Sequence, residues 1–525
     1  MASQYIQIAT PPSKNAILES LVKNVRARNA RLPPGRDKMV FGACELKVEM
    51  PLLLNRPGAP LPCRESPAEF ETVNARFSAQ IHAFINALHA LEDMADKASS
   101  DDLDLCRPDE CLRPVICVSN QSFEPHLDCL HRAFHTRRLT VQNPDSLPLL
   151  NRVTRLRILP DRDSTFDPIN MRSVSSRTPL GLITRLPQLR ELDCPWLWER
   201  LPVAFTSKAL RIISRVWAGP WRDDRAEFAR AVRHAMPLLP PSLIKVRLWF
   251  WRPSSHGDEV DQAAQMPDLV GASSLSSSTN EFGGMDPVSL GLRDLGSRLE
   301  ELDVRALITP DLFPSDGDDL SWPHMRHLKI EFHPCAPDGS WYFSGPRGED
   351  PHATGFAITR EEHYPPGLED DDETHQLMSD EEEEYWGDAP DVYDLRNPDM
   401  FRLRPIAERI NPLLLAFASS LQRQKMPALR DAELFTWLTW RPSKDRAKEY
   451  EGSDEVPPTS YEEETAPAVG GDGKVKVTWQ VGEDWRPEDR VIKAFEDLVC
   501  GDRDNMEWKA FEFVEEREED PEDYI

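Results

Sequence analysis

The sequence predicts an α/β fold in which one short turn-and-strand unit recurs along a parallel sheet, interrupted by long acidic insertions. Three observations predict it. The first is the unit itself, Leu186-Pro-Gln-Leu-Arg-Glu-Leu-Asp-Cys194, with looser copies at Val153…Leu156…Ile158, Leu243…Val246…Leu248, Leu299…Leu302…Val304, Met325…Leu328…Ile330 and Leu429…Ala432…Leu434. The second is the filling between copies. Helical stretches such as Asp224 to Met236 and Ile406 to Leu421 alternate with the apolar runs, as strand-plus-helix units do. The third is charge segregation. Residues 369–399, 451–472 and 515–523 hold 28 Asp/Glu against only Arg396 and Arg517, while residues 132–252 hold 22 Lys/Arg against 10 Asp/Glu, in a chain of net charge -28.

Taken in order, Lys14 to Val25 is a short helical candidate, with Ile17, Leu18, Leu21 and Val22 on one side, before Pro33-Pro34-Gly35. Cys44 to Met50 alternates as a strand. Ser66-Pro67-Ala68-Glu69 then has the makings of a helix start: a hydroxyl cap, proline at the first helical position and a glutamate able to reach back. Phe70, Val73, Phe77, Ile81, Phe84, Ile85, Leu88 and Leu91 follow at three-and-four spacing, which predicts a long N-terminal helix with one buried stripe. Pro114 to Val118 reads as a strand, Pro125 to His135 as a helix and Arg138 to Val141 as a strand. The six copies come next, several after a proline turn: Leu186-Pro187, Pro240-Pro241-Ser242, Trp322-Pro323 and Met426-Pro427. Near the end, Lys474 to Val481 and Trp508 to Val514 suit strands and Pro487 to Val499 a helix.

A unit that cannot cover its own apolar side gains stability by stacking on its neighbours, which makes a continuous core beside a parallel sheet. The spacing therefore predicts an irregular leucine-rich-repeat-like solenoid. Its steps run from 26 residues (Leu302 to Leu328) to 104 (Leu328 to Ala432), against about 20–29 in a regular array. An ordinary α/β domain with parallel strands is the alternative. The expected organisation is an N-terminal segment over 1–38, a repeat array over 39–345 with a disordered insertion at 253–285, and an acidic disordered insertion at 346–399. C-terminal repeats over 400–514, with a disordered segment at 441–473, and an acidic tail over 515–525 complete it. Such acid-rich or Ser/Gly-rich stretches carry too few apolar groups to offset the entropy of ordering.

Nine scattered cysteines without a Cys-x-x-Cys pair are the pattern of reduced core thiols in an intracellular protein, cytoplasmic or nuclear. The start has no basic region followed by an apolar run. The most apolar stretch, Leu413 to Leu421, falls well short of the ~20 residues a bilayer needs, so no membrane contact is expected. His126, Cys129, His131 and His135 form the one metal-capable cluster. His131 and His135 share a helix face, but no glutamate of a His-Glu-x-x-His site accompanies them. An enzyme or metal protein built on that cluster is therefore the weakest reading; no cofactor is expected. His324, His327 and His333 straddle a strand, with His327 on its solvent side. Trp341, Tyr342, Phe343 and Arg347, in a turn-rich segment, are the candidate partner-binding residues, because exposed aromatics and arginine make good anchors; a packed lid over the open edge of a repeat is the commoner role for such a segment. The basic middle (Arg152, Arg155, Arg157, Arg185, Arg190, Arg211, Arg215) comes with no nucleic-acid module, so nucleic acid is not the expected ligand. No dinucleotide, phosphate-loop, nucleophile-elbow or kinase motif occurs, and no small-molecule substrate is indicated.

The order of these features resembles the F-box and leucine-rich-repeat-like proteins of filamentous fungi. The resemblance rests on Cys44 to Pro51, the helix from Phe70 to Leu91, Leu186 to Leu192, Leu299 to Leu302 followed by Trp322 to Leu328, Pro337 to Phe343, Leu413 to Leu421 and Met426 to Leu429. It implies a non-enzymatic substrate receptor of a cullin-type ubiquitin ligase, in which an N-terminal F-box binds the Skp1 adaptor and the repeats hold the target. No Leu-Pro-x-Glu opening of an F-box is evident; Lys14 to Val25 is its candidate remnant. Positions 197, 307 and 333, where a regular repeat carries Asn or Cys, are Leu197, Leu307 and His333. A binding scaffold without a ligase link, its access regulated by the acidic segments, is the alternative function.

Overall fold

The structure is a computed structural model and describes residues 13–29, 43–50, 65, 67–97, 111–119, 137–160, 172–195, 197, 199, 218–251, 260–270, 281–315, 320–364, 399–453, 461–464, 477–480, 485–499, 506–509 and 513–515. The protein is mixed α/β, with a large parallel sheet of eight strands. These are β1 (Ala43–Val48), β2 (Arg113–Val118), β3 (Arg155–Pro160), β4 (Glu191–Cys194), β5 (Lys245–Trp249), β6 (Glu301–Ala306), β7 (His327–Phe332) and β8 (Asp431–Phe435), and their order in the sheet follows the chain. By contact density the chain divides into two compact units, Met1–Trp198 with Ala231–Arg247, and Glu199–Arg230 with Leu248–Ile525.

All six copies of the unit are strands of this sheet, β3 to β8. Equivalent positions lie side by side: Leu156 beside Leu192 in the first unit, and Leu302, Leu328 and Ala432 in a row in the second, with Val304, Ile330 and Leu434 two residues on. The same backbone device starts the copies. The N–H of Leu189, Leu243, Leu299, Met325 and Leu429 each returns to the carbonyl three residues earlier, at 3.0, 3.1, 3.3, 3.2 and 3.3 Å. Four of these turns hold proline at their second position (Pro187, Pro241, Pro323 and Pro427), where its fixed φ suits the turn. The next carbonyl then receives two N–H groups from the following copy. Thr154 accepts from Arg190 and Glu191, Arg190 from Ile244 and Lys245, Glu300 from Arg326 and His327, and Arg326 from Arg430 and Asp431.

In the first unit the helix α2 (Pro67–Lys97) follows α1 (Lys14–Asn29), which packs on it. The expected stripe is the buried one, Val73, Phe77, Ile81, Phe84, Ile85, Leu88 and Leu91 each being at most 3% exposed. Polar side chains interleaved with the stripe hold irregular backbone. Asn74 accepts from Thr140 N (2.7 Å), Ser78 from Gln142 N (2.8 Å), and Glu92 from Asn151 N (2.9 Å) and Arg152 N (2.8 Å). This corrects the strand expected at Arg138 to Val141. Only an isolated bridge, Leu139 to Val174, forms there, because the N–H of Thr140, and that of Gln142 just beyond, go to α2 side chains instead of a neighbouring strand.

In the second unit α5 (Pro287–Gly296) is capped by Asp286, which accepts from Ser289 N at 2.8 Å. In chain order α3 (Arg177–Ile183) and α4 (Ala218–Ala235) precede it, and α6 (Ala407–Ser420) and α7 (Asp489–Leu498) follow it and pack on each other. Parts of the stretches expected to be disordered are ordered. Val260, Met266 and Leu269 are buried; Thr359 caps a short helix at Arg360–His363 whose His363 is buried against Phe356; Ser443 caps another at Lys444–Glu449, beside the buried Tyr450. Their composition is polar on average, but a few apolar and capping residues are enough to dock each short piece on the unit. The helix expected at Pro125 to His135 lies outside the described residues.

Candidate functional site

The strands of a parallel sheet present alternate residues to opposite faces. In each copy Leu192 and its equivalents point into the core, so the residues between them share the other face. In successive copies the first of these positions reads Arg155, Glu191, Lys245, Glu301, His327, Asp431 and the second reads Arg157, Asp193, Arg247, Asp303, Lys329, Glu433. The signs alternate from strand to strand. Where the register is defined, opposite charges are direct neighbours: Arg155 beside Glu191 and Arg157 beside Asp193, then Glu301 and Asp431 flanking His327, and Asp303 and Glu433 flanking Lys329. Cross-strand pairs of opposite charge stabilise a sheet, and like charges directly opposite destabilise it.

In the first unit this ladder closes into a buried knot. Asp193, 1% exposed, accepts from Arg247 Nε at 2.6 Å, Arg157 Nε at 2.7 Å and Arg155 at 3.1 Å. Arg155 also reaches Glu191 at 3.2 Å. Burial works to raise the Asp193 carboxyl, but the hydrogen bonds and charges of Arg247 and Arg157 more than offset it and hold the group below its ordinary range. The arginines keep a water-facing side: their side chains are 33% (Arg155), 13% (Arg157) and 25% (Arg247) exposed. Two copies beginning with a cation flank the acidic one, so the six ladder positions here comprise four cations and two carboxylates. This face is basic.

The ladder of the second unit has the opposite balance, Lys329 and His327 standing among four acids. His327 Nδ1 lies 2.5 Å from Asp431, and the imidazole is 41% exposed, on the solvent side as expected. Beyond the ladder the Arg305 guanidinium sits 4.4 Å over the ring of Trp249 and donates to Glu331 at 2.8 Å, while Trp249 Nε1 donates to Asp303 at 2.9 Å. Burial pushes the Glu331 carboxyl up, opposed by Arg305.

The candidate anchors divide. Trp341, Tyr342 and Phe343 are 1, 4 and 3% exposed, which corrects the recognition-loop expectation: a ring with no open face offers a partner nothing. The Tyr342 hydroxyl donates to Ile308 O at 2.9 Å, Phe332 lies between the Tyr342 and Phe343 rings, and the Arg402 guanidinium is 4.9 Å from the Trp341 ring. Arg402 itself donates to Phe343 O and Asp350, so the segment is a lid stapled from both sides. Arg347 is exposed, its guanidinium 4.1 Å from the Tyr450 ring. His333 is buried between Trp251 and Trp341, and burial lowers its pKa to about 4. His324 is exposed. His126, Cys129, His131 and His135 lie outside the described residues, among which no group of three metal-capable side chains occurs.

Comparison with family models, with curated proteins and with solved structures returns no match to the chain. The reading of the site therefore rests on its own chemistry. Among the described residues no helix is long and apolar enough to cross a membrane. Another buried charge cluster, Arg225 held by Glu199 and Asp286, is enclosed on all sides: the three side chains are at most 3% exposed. Arg225 also donates to Leu307 O and Glu199 accepts from the Trp221 indole, which makes the cluster a brace between helix and loop.

The Asp193 knot was not singled out from sequence. Its signal was available in the alternating signs at the two positions preceding each apolar residue, which become visible only when the six copies are aligned on one another.

Proposed function

We propose that this protein is a non-enzymatic interaction protein, an irregular leucine-rich-repeat-like array that holds a protein partner on the charged face of its sheet. The observation that carries this reading is the repeated unit: one turn, one two-acceptor carbonyl and one strand, reused so that equivalent charged side chains line up across neighbouring strands. A surface of preorganised charges favours specificity and fast association over raw affinity. The proposed role is that of a substrate receptor in a cullin-type ubiquitin ligase, with residues 1–38 contacting Skp1.

Pull-down of the full-length protein with purified Skp1 tests the ligase role, and capture of Skp1 by the wild type but not by a chain lacking residues 1–38 is the expected result. Failure of the full-length chain to retain Skp1 removes the ligase role. Recovery of a stoichiometric protein partner in the same experiment would then make the protein a ligase-independent scaffold.

A further inference from the structure

We infer that Arg402 and Trp341 hold a small monovalent anion, of the size and charge of chloride, inside the second unit. There it completes the staple that keeps the lid segment 341–343 closed on the core. The inference stands independently of the partner reading above.

Two buried donors meet at this point without an acceptor. Arg402 is 0% exposed and Trp341 1%. Arg402 Nε donates to Gln262 O at 3.1 Å, and Nη1 to Phe343 O at 2.8 Å and to Asp350 at 2.7 Å. Its Nη2 has no hydrogen-bond partner among the described residues, and neither has Trp341 Nε1. The two side chains are neighbours: Arg402 Cζ lies 4.9 Å from the centre of the Trp341 ring and 5.3 Å from that of Phe401. An acceptor about 3 Å from each nitrogen bridges donors up to about 6 Å apart, so one small ion is large enough to serve both. The edge of an aromatic ring is its positive side, and the indole N–H therefore adds to the field of the guanidinium. A buried donor left unpaired loses its hydration without return, which is why such groups are rare and call for an acceptor.

Charge selects the ligand class. Arg402 and Arg409 share a single carboxylate, Asp350, at 2.7 Å from each, which leaves the group one positive charge in excess. Burial works against the Arg402 cation and Asp350 offsets it only in part, so its pKa lies below the ordinary arginine value. The Arg225 cluster of the same unit supplies the contrast. There two carboxylates face one guanidinium, and the atoms left over are a donor, Arg225 Nε, and an acceptor, Glu199 Oε2. A water molecule satisfies such a pair, donating to one and accepting from the other. At Arg402 both remaining atoms are donors beside surplus positive charge, which favours an acceptor that is itself an anion. Enclosure sets its size. Cys335, Phe343 and Phe401 are at most 3% exposed, so the site has no open face for a phosphate or for a partner's carboxylate.

The test is thermal unfolding of the full-length protein in sodium chloride and in sodium gluconate at equal ionic strength, gluconate being too large for an enclosed site. At about 200 mM salt the wild type is expected to melt about 3–6 °C higher in chloride. Trp341→Phe keeps a ring and removes the N–H, and is expected to melt at the same temperature in both salts. Trp322→Phe is the control: it removes another buried indole, whose N–H holds Arg293 O at 2.9 Å. It is expected to melt lower in both salts and to keep the chloride increment. Crystals grown in bromide are expected to give an anomalous peak within hydrogen-bond distance of Arg402 Nη2 and Trp341 Nε1. Where circular dichroism shows Trp341→Phe unfolded, the bromide map of the wild type decides alone. Equal melting of the wild type in the two salts overturns the inference, as does a chloride increment that Trp341→Phe retains or that Trp322→Phe loses. An ordered water in place of bromide at the two donors overturns it too.

Discussion

Removing the charge of Asp193 is the most direct perturbation of this protein's sheet. Asp193→Asn keeps the shape but removes the negative charge shared by Arg155, Arg157 and Arg247 and turns one of its two accepting oxygens into an N–H donor. Deleting one partner of a buried ion pair costs about 3–5 kcal/mol, because the other charge stays uncompensated. Here the arginines are 13–33% exposed, and water takes up part of that loss, so about 2–3 kcal/mol is the expected cost. In a unit of roughly 200 residues this lowers the melting temperature by about 5–10 °C. Urea titration followed by tryptophan fluorescence measures it. Its pH dependence has a fixed sign. The folded carboxyl titrates below its ordinary range, so the stabilisation it provides is present above the unfolded value near 3.9. It is lost as pH falls through the lower, folded value; the gap between wild type and Asp193→Asn therefore narrows below about pH 4. A double-mutant cycle isolates the cause. If orphaned cations are the source of the loss, Arg157→Gln costs less in the Asp193→Asn background than in the wild type. A cost under about 1 kcal/mol, or two substitutions that simply add, would refute the knot as a stabilising element.

Two further outcomes follow from buried positions in the second unit. Gly296→Ala sets helix propensity, which favours alanine by about 1 kcal/mol, against packing: the new Cβ meets the Trp322 ring at 2.6 Å. The ring is wholly buried and its N–H holds Arg293 O at 2.9 Å, so it cannot yield and a net loss of about 1–3 kcal/mol with altered near-UV circular dichroism is expected; a more stable variant would show the contact to be soft. His333 is neutral when buried, its pKa lowered to about 4, whereas the unfolded chain takes up a proton near 6.5. Stability is therefore complete above about pH 6.5 and falls towards pH 4, and His333→Gln is expected to flatten that part of the profile. Equal slopes of urea midpoint against pH in the two proteins would remove His333 as the cause.

What the sequence alone determined is the series of strands and what turns the chain into them. The apolar spacing at Leu189, Leu192 and Cys194 and its five copies, and prolines such as Pro187 and Pro323, act within a few residues, and the sheet uses each copy in chain order. The same holds for the stripe from Val73 to Leu91, which a period of 3.6 makes visible. Tertiary structure decided the rest. Asp193 finds Arg157 at a separation of 36 residues and Arg247 at 54, and His327 finds Asp431 at 104; no local window contains both members of such a pair. Trp341, Tyr342 and Phe343 look alike in sequence whether they face a partner or the core, and only Arg402, arriving from 59 residues away at Phe343, seals them inward. Periodicity is a property of one segment and its own backbone. A salt bridge or a lid belongs to two segments, and exists only once the fold has brought them within reach.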